Sequence, residues 1–117
     1  MSSLPNVCFE KDTTIFSQGD DARVAYLIES GSVELSDIHN GQKRIINTVK
    51  AGGLFGEMAL IINKPRLVTA RALETTECKQ IDEAYMAKHI DTCSPFVQSL
   101  LRVLTNTVIS LQNSSSS

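Results

Sequence analysis

Histidine and cysteine are scarce in this chain, and their scarcity removes the simplest metal chemistries. Its 117 residues hold two histidines, His39 and His89, and three cysteines, Cys8, Cys78 and Cys93. No two cysteines form a CxxC pair, and an odd total does not make a disulfide framework, so free, buried thiols are expected. The histidines lie far apart without an acidic partner at useful spacing, so neither a mononuclear metal enzyme nor a cysteine zinc site is expected. A GxSxG elbow, a GxxxxGK[ST] loop and a GxGxxG turn are all missing, which leaves hydrolase, P-loop and dinucleotide readings without their minimum parts. No basic excess exists either: eleven basic against thirteen acidic side chains give a net charge of −2. A protein that binds nucleic acid through a broad cationic face is therefore not expected. No apolar run approaches the ~18–20 residues of a membrane span, and Met1–Phe9 has neither the basic start nor the apolar stretch of a signal peptide. The sequence accordingly reads as cytoplasmic and non-enzymatic.

What is present is a chain able to fold as one domain spanning residues 1–117. Hydrophobic residues make up 42% and charged residues 21%, enough to bury a core. Short apolar or alternating runs at Thr13–Phe16, Ala25–Ile28, Ser32–Leu35, Arg44–Val49, Leu67–Leu73 and Glu77–Ile81 predict strands. Turns at Gly19-Asp20-Asp21, Ser30-Gly31, His39-Asn40-Gly41 and Gly52-Gly53 separate them. Many short strands at even spacing point to a barrel or jelly roll rather than to βαβ units. Asn40-Gly41 is a tight-turn signal, since both central positions of such a turn need positive φ.

The last third is helical. Asp82 is placed to cap a helix through Glu83, Tyr85, Met86 and Ile90, and Ser94-Pro95 reads as an N-cap followed by proline at the first helical position. Phe96, Leu100, Leu104, Val108 and Leu111 then recur at helical spacing, predicting about sixteen helical residues. Val97, Leu101 and Val103 widen that stripe. Core packing is the first reading of this width, and a homodimer through the C-terminal helix is the second. Residues 113–117 read as a polar tail, with the β part at about 9–81 and the helices at about 82–112.

One segment breaks the strand rhythm: Gly52-Gly53-Leu54-Phe55-Gly56-Glu57-Met58-Ala59-Leu60-Ile61, followed by Pro65-Arg66. A short helical turn starts just after Gly56, and its first N–H groups lack internal acceptors. Arg66, at the start of the next predicted strand, offers a planar fork of donors that matches phosphate oxygens in pairs. An acidic acceptor, free N–H groups and an arginine within one loop suit a ligand carrying both a hydroxyl and a phosphate, such as a nucleotide. The bland alternatives are a surface ion pair between Glu57 and Arg66, and glycines that merely permit a turn.

Phe55-Gly56-Glu57-Met58-Ala59-Leu60-Ile61, Pro65-Arg66 and Thr69-Ala70 together resemble the phosphate-binding cassette of the cyclic nucleotide-binding domain family. Gly19-Asp20 and Tyr26-Leu27-Ile28-Glu29-Ser30-Gly31-Ser32-Val33 are similar to that family's early strands, so the resemblance runs over about residues 9–111, to a stand-alone domain of bacterial type. It implies a mainly β (α+β) fold, an antiparallel β jelly roll or double-stranded β-helix with a short cassette helix and C-terminal helices that move when ligand binds. It also implies a cyclic nucleotide ligand, with Glu57 accepting from the ribose 2′-hydroxyl and Arg66 pairing with the cyclic phosphate. Backbone N–H groups around Gly56, Met58, Ala59 and Leu67 would complete the cradle, and Phe55 and Val68 are also expected among the ligand-binding residues.

After the arginine the family usually carries Ala, Ser or Thr and then a small residue, where this chain has Leu67-Val68. Leu67 lacks the hydroxyl that guanine-recognising members often place there, so cAMP is expected over cGMP. For a lid over the base the C-terminal helix offers only the aliphatic Leu104, Val108 and Leu111. No metal and no cofactor beyond this ligand is expected. A DNA-binding member would need a helix-turn-helix after the last helix, and the chain ends before one forms. Output is thus expected through an unknown effector protein or a linked domain. The alternative is an interaction module that keeps the fold but has lost the nucleotide.

Overall fold

The computed structural model describes residues 4–62 and 64–115. Eight strands and three helices follow in the order β1 (Asn6–Phe9), β2 (Thr14–Phe16), β3 (Val24–Ser30), β4 (Ser32–His39), β5 (Gln42–Lys50), β6 (Leu54–Phe55), α1 (Glu57–Ile62), β7 (Thr69–Ala72), β8 (Thr76–Asp82), α2 (Glu83–Asp91) and α3 (Pro95–Ser115). The strands form two four-stranded sheets, β1-β8-β3-β6 and β2-β7-β4-β5, and every pairing is antiparallel. Strands that neighbour one another are mostly distant in sequence, as a jelly roll requires.

Local chemistry explains the element ends. Asn40 and Gly41 adopt φ of 54° and 78°, and His39 pairs with Gln42 across them, so the β4–β5 hairpin closes on the two-residue turn that the Asn-Gly pair predicts. The Asp82 Oδ1 accepts from the Tyr85 N–H at 2.8 Å, and the Ser94 Oγ accepts from the Val97 N–H at 3.3 Å, which gives α2 and α3 their N-caps.

Six of the eight strands coincide with predicted runs, and most extend further because pairing with a long partner carries residues of weak propensity. Strands β1 and β6 carried no such signal. Four and two residues long, they are strands only because β8 and β3 supply their partners. The run predicted at Leu67–Leu73 is the reverse case, for the strand begins only at Thr69. The Arg66 backbone bonds instead to the 17–20 turn, its N–H donating to the Asp20 carbonyl and its carbonyl accepting from Gly19, both at 2.8 Å. That loop-to-loop pairing keeps Leu67 and Val68 out of the ladder.

The core lies between the sheets and consists of Phe16, Ile28, Val33, Phe55, Ala70 and Cys78, with Val7, Phe9, Tyr26, Leu35, Val49 and Val68 packed around it. On the other face of the first sheet Ala25 and Ile81 pair in register and are also buried, and α1 lies near β3. Of the cysteines only Cys78 is buried. Cys8 is exposed and Cys93 half-buried, because the first sits on the outward face of an edge strand and the second in a helix connection.

The C-terminal helix departs from expectation in two ways. It runs on to Ser115, into the stretch read as a polar tail, whose last residues, 116–117, lie outside those described. Its apolar stripe is also not core: Phe96 is 75% exposed, Val103 60% and Leu104 54%. The two sheets fill their core with their own side chains, and α3 approaches the body of the protein mainly beside α1. The proposed lid residue Leu104 is therefore open to solvent, while Val108 and Leu111 carry side chains outside the described set. No helix among the described residues is long and apolar enough to cross a membrane.

Candidate functional site

Gly56 ends β6 and begins α1, and its geometry sets the site. Its φ is +80°, and a Cβ built there would lie 2.9 Å from the Arg66 Nη1 and 3.2 Å from the Phe16 ring. Glycine is needed here both for the left-handed turn and for the close approach of arginine to backbone. Pro65 and the clamp on the 17–20 turn then bring Arg66 back over β6.

Arg66 is only 5% exposed. Its Nη1 donates to the Gly56 carbonyl at 2.7 Å and its Nη2 to the Val24 carbonyl at 2.6 Å. The guanidinium carbon lies 3.9 Å from the centroid of the Phe16 ring. Its Nε is buried and has no hydrogen-bond partner among the described residues. Burial draws the Arg66 pKa down, with Tyr26, Asp20 and Glu57 opposing. The surface ion pair with Glu57 is not formed: Arg66 is buried, and it bonds to carbonyls.

Glu57 opens α1 and is half-buried. Burial holds its carboxyl above the usual glutamate range, while a backbone hydrogen bond and the Arg66 charge pull the other way. The native protein therefore keeps a proton on Glu57 over a pH range in which the unfolded chain has released it. Stability should then fall as pH rises from the ordinary glutamate value through the raised native one. Glu57→Gln, neutral throughout, is expected to flatten this part of the pH dependence of the urea midpoint, and an unchanged slope would show that burial of Glu57 does not govern it.

A cavity of about 160 Å³ joins these groups, lined by Phe16, Leu35, Ile46, Gly56, Glu57, Met58, Ala59, Arg66, Leu67 and Val68. Seven of the eight residues singled out in the sequence lie on it. Phe55 does not: it is fully buried, its ring 5.2 Å from Tyr26 and 6.0 Å from Phe16. Phe16, Leu35 and Ile46 are the additions. Leu35 alternates with Val33 on the inward face of β4, a signal readable in the sequence. Ile46 depends on a β-bulge, for Leu35 pairs with Asn47 and Ser36 with Ile45, and strand alternation alone does not locate a bulge. Two larger clefts of about 310 and 360 Å³ lie elsewhere on the surface, and neither brings a buried cation beside a buried acid.

The cavity thus offers one cation with donor capacity to spare, one acid, the amide groups of an opening helical turn and an apolar wall. Such a set recognises a small molecule with an anionic end, hydroxyls and a flat apolar part. Among the described residues no group of three or more His, Cys, Asp or Glu is placed to hold a metal ion.

Fold and cavity together define a jelly-roll ligand-binding domain. The family model for the cyclic nucleotide-binding domain matches residues 6–93, and the chain belongs to that family. A cAMP-dependent protein kinase regulatory subunit of Candida albicans is 37% identical over 82 residues, 70% of this chain and 17% of the relative. The cyclic AMP receptor protein of Thermus thermophilus is 44% identical over 64 residues, 54% of this chain and 30% of that protein. Among solved structures, the cAMP-bound form of the EAL enzyme Bd1971 superposes with a TM-score of 0.84 at 33% identity, over 93% of this chain and 30% of that one. The chain therefore spans less than a third of each of these proteins.

Proposed function

We propose that this chain is a regulatory domain that binds a cyclic nucleotide without transforming it, and that it favours cAMP over cGMP. The observation that carries the reading is the buried Arg66 guanidinium, its Nε without a partner, on one cavity with Glu57. A cyclic phosphate satisfies the free donor and the buried charge together. Glu57 accepts from the ribose 2′-hydroxyl, amide groups of Gly56, Met58, Ala59 and Leu67 face the phosphate, and Leu35, Ile46 and Val68 flank the flatter part of the ligand. Leu67 brings no hydroxyl to a guanine edge, which is the basis of the cAMP preference. Named relatives and neighbours that bind cAMP, or are regulatory subunits, support the ligand class. A cytoplasmic setting fits three free thiols.

The output step follows from what Arg66 holds. Its Nη1 bond to the Gly56 carbonyl ties the arginine to the residue before α1, and a phosphate drawing on the same guanidinium competes with that carbonyl. A shift of α1 reaches α3, which lies beside it and presents Phe96, Leu100, Val103 and Leu104 to solvent. That exposed face is the surface through which an effector protein, a linked domain or a second copy reads the state of the cavity.

Two titrations and one exchange experiment test this. Calorimetry is expected to show cAMP binding at micromolar affinity or better, about 8 kcal/mol, with weaker binding of cGMP. Hydrogen exchange is expected to change across residues 82–111 on saturation with cAMP. Absence of heat at millimolar cAMP overturns the ligand, and unchanged exchange in the helices overturns the output step.

A further inference from the structure

The Arg66 guanidinium is buried without a direct ion-pair partner among the described residues: the Asp20 and Glu57 charges act on it from beyond ion-pair distance, and an aromatic face lies against it. Among the described residues no carboxylate forms an ion pair with Arg66. Its direct contacts include two neutral carbonyls and the Phe16 ring, centred 3.9 Å from the guanidinium carbon. Phe16 is itself held: it is 7% exposed, tilted against Phe55 at 6.0 Å and stacked with Tyr26 at 6.5 Å. Two bonded nitrogens and a ring define the plane of the fork. A carboxylate in the ring's place would stabilise the buried charge by cancelling it, and would then compete with any incoming anion. The negative face of a ring stabilises a cation while leaving its net charge intact.

We propose that Phe16 is a positioning residue for phosphate recognition, its ring orienting the Arg66 fork and stabilising its charge in a desolvated cavity without neutralising it. This rests on the reading of the cavity as a cyclic nucleotide site. Phe16 appears in the sequence as an ordinary core residue of a short strand, and only the fold brings it under an arginine fifty positions later.

The test separates the ring's charge distribution from its volume. A trifluorinated phenylalanine incorporated at position 16 keeps the shape and weakens the negative face, whereas Phe16→Leu removes the face altogether. Calorimetric cAMP affinity is expected to fall about threefold or more with the fluorinated ring and up to roughly 30-fold with leucine, with the melting temperature of the fluorinated protein unchanged. In an Arg66→Ala background neither change should alter the residual affinity, since the positioned group is gone. Wild-type affinity in the fluorinated protein would overturn the proposal and leave Phe16 as packing alone. If instead the unmodified protein failed to bind cAMP, the nucleotide reading itself would fall; if Arg66→Ala bound it equally well, Arg66 would leave the site, and either outcome overturns Phe16's role.

Discussion

Arg66→Ala is expected to weaken cAMP binding by about 2–5 kcal/mol, because a buried anion loses its charged partner and a fork that engages two oxygens together. The geometry adds a second effect that the residue's identity alone does not contain. Arg66 also donates to the carbonyls of Gly56 and Val24, so the alanine variant leaves both short of a donor. The ligand-free protein should lose about 1–3 kcal/mol of stability, where an arginine serving the ligand alone would cost nothing. Arg66→Lys keeps the charge but not the planar fork, and should fall between wild type and alanine in affinity. Calorimetry and urea titration read the two effects separately. A variant that binds as wild type does would remove Arg66 from the site, and one that loses affinity with full stability would show that the two carbonyl bonds contribute nothing.

Phe55→Ala is expected to cost about 3–5 kcal/mol of stability, the range for emptying an aromatic side chain from a packed core. Phe55 has no solvent exposure, and its ring stacks on Tyr26 while touching the Phe16 layer that carries Arg66. Against a total stability of roughly 5–15 kcal/mol for a domain, that loss leaves much of the variant unfolded at ambient temperature. Urea midpoint and near-ultraviolet circular dichroism measure it, and a loss below about 1 kcal/mol would contradict the packing. The contrast with Arg66 is informative. Neighbouring residues of one motif divide between two tasks: Phe55 fills the core between the sheets, and the residues from Gly56 onward line the cavity beside it.

Sequence determined what depends on short spans. The Asn40-Gly41 turn, the Asp82 and Ser94 caps and the start of α1 after Gly56 each rest on a few adjacent residues whose backbone preferences or side-chain acceptors act locally. Much of the site was legible for the same reason: Gly56, Glu57, Met58, Ala59, Arg66, Leu67 and Val68 belong to one segment folded back on itself, and its order of residue types resembles a known family's.

Tertiary structure alone decided what comes from afar. The Val24 carbonyl meets Arg66 across 42 residues, Phe16 and Leu35 arrive from other strands, and a bulge in β5 turns Ile46 to the cavity. Strands β1 and β6 exist only through their partners, and the 17–20 turn withholds Leu67 and Val68 from β7. The exposure of α3 is of the same kind. A periodic apolar stripe states that a helix has a face to cover, but whether the protein's own core covers it depends on how completely the sheets have already filled that core.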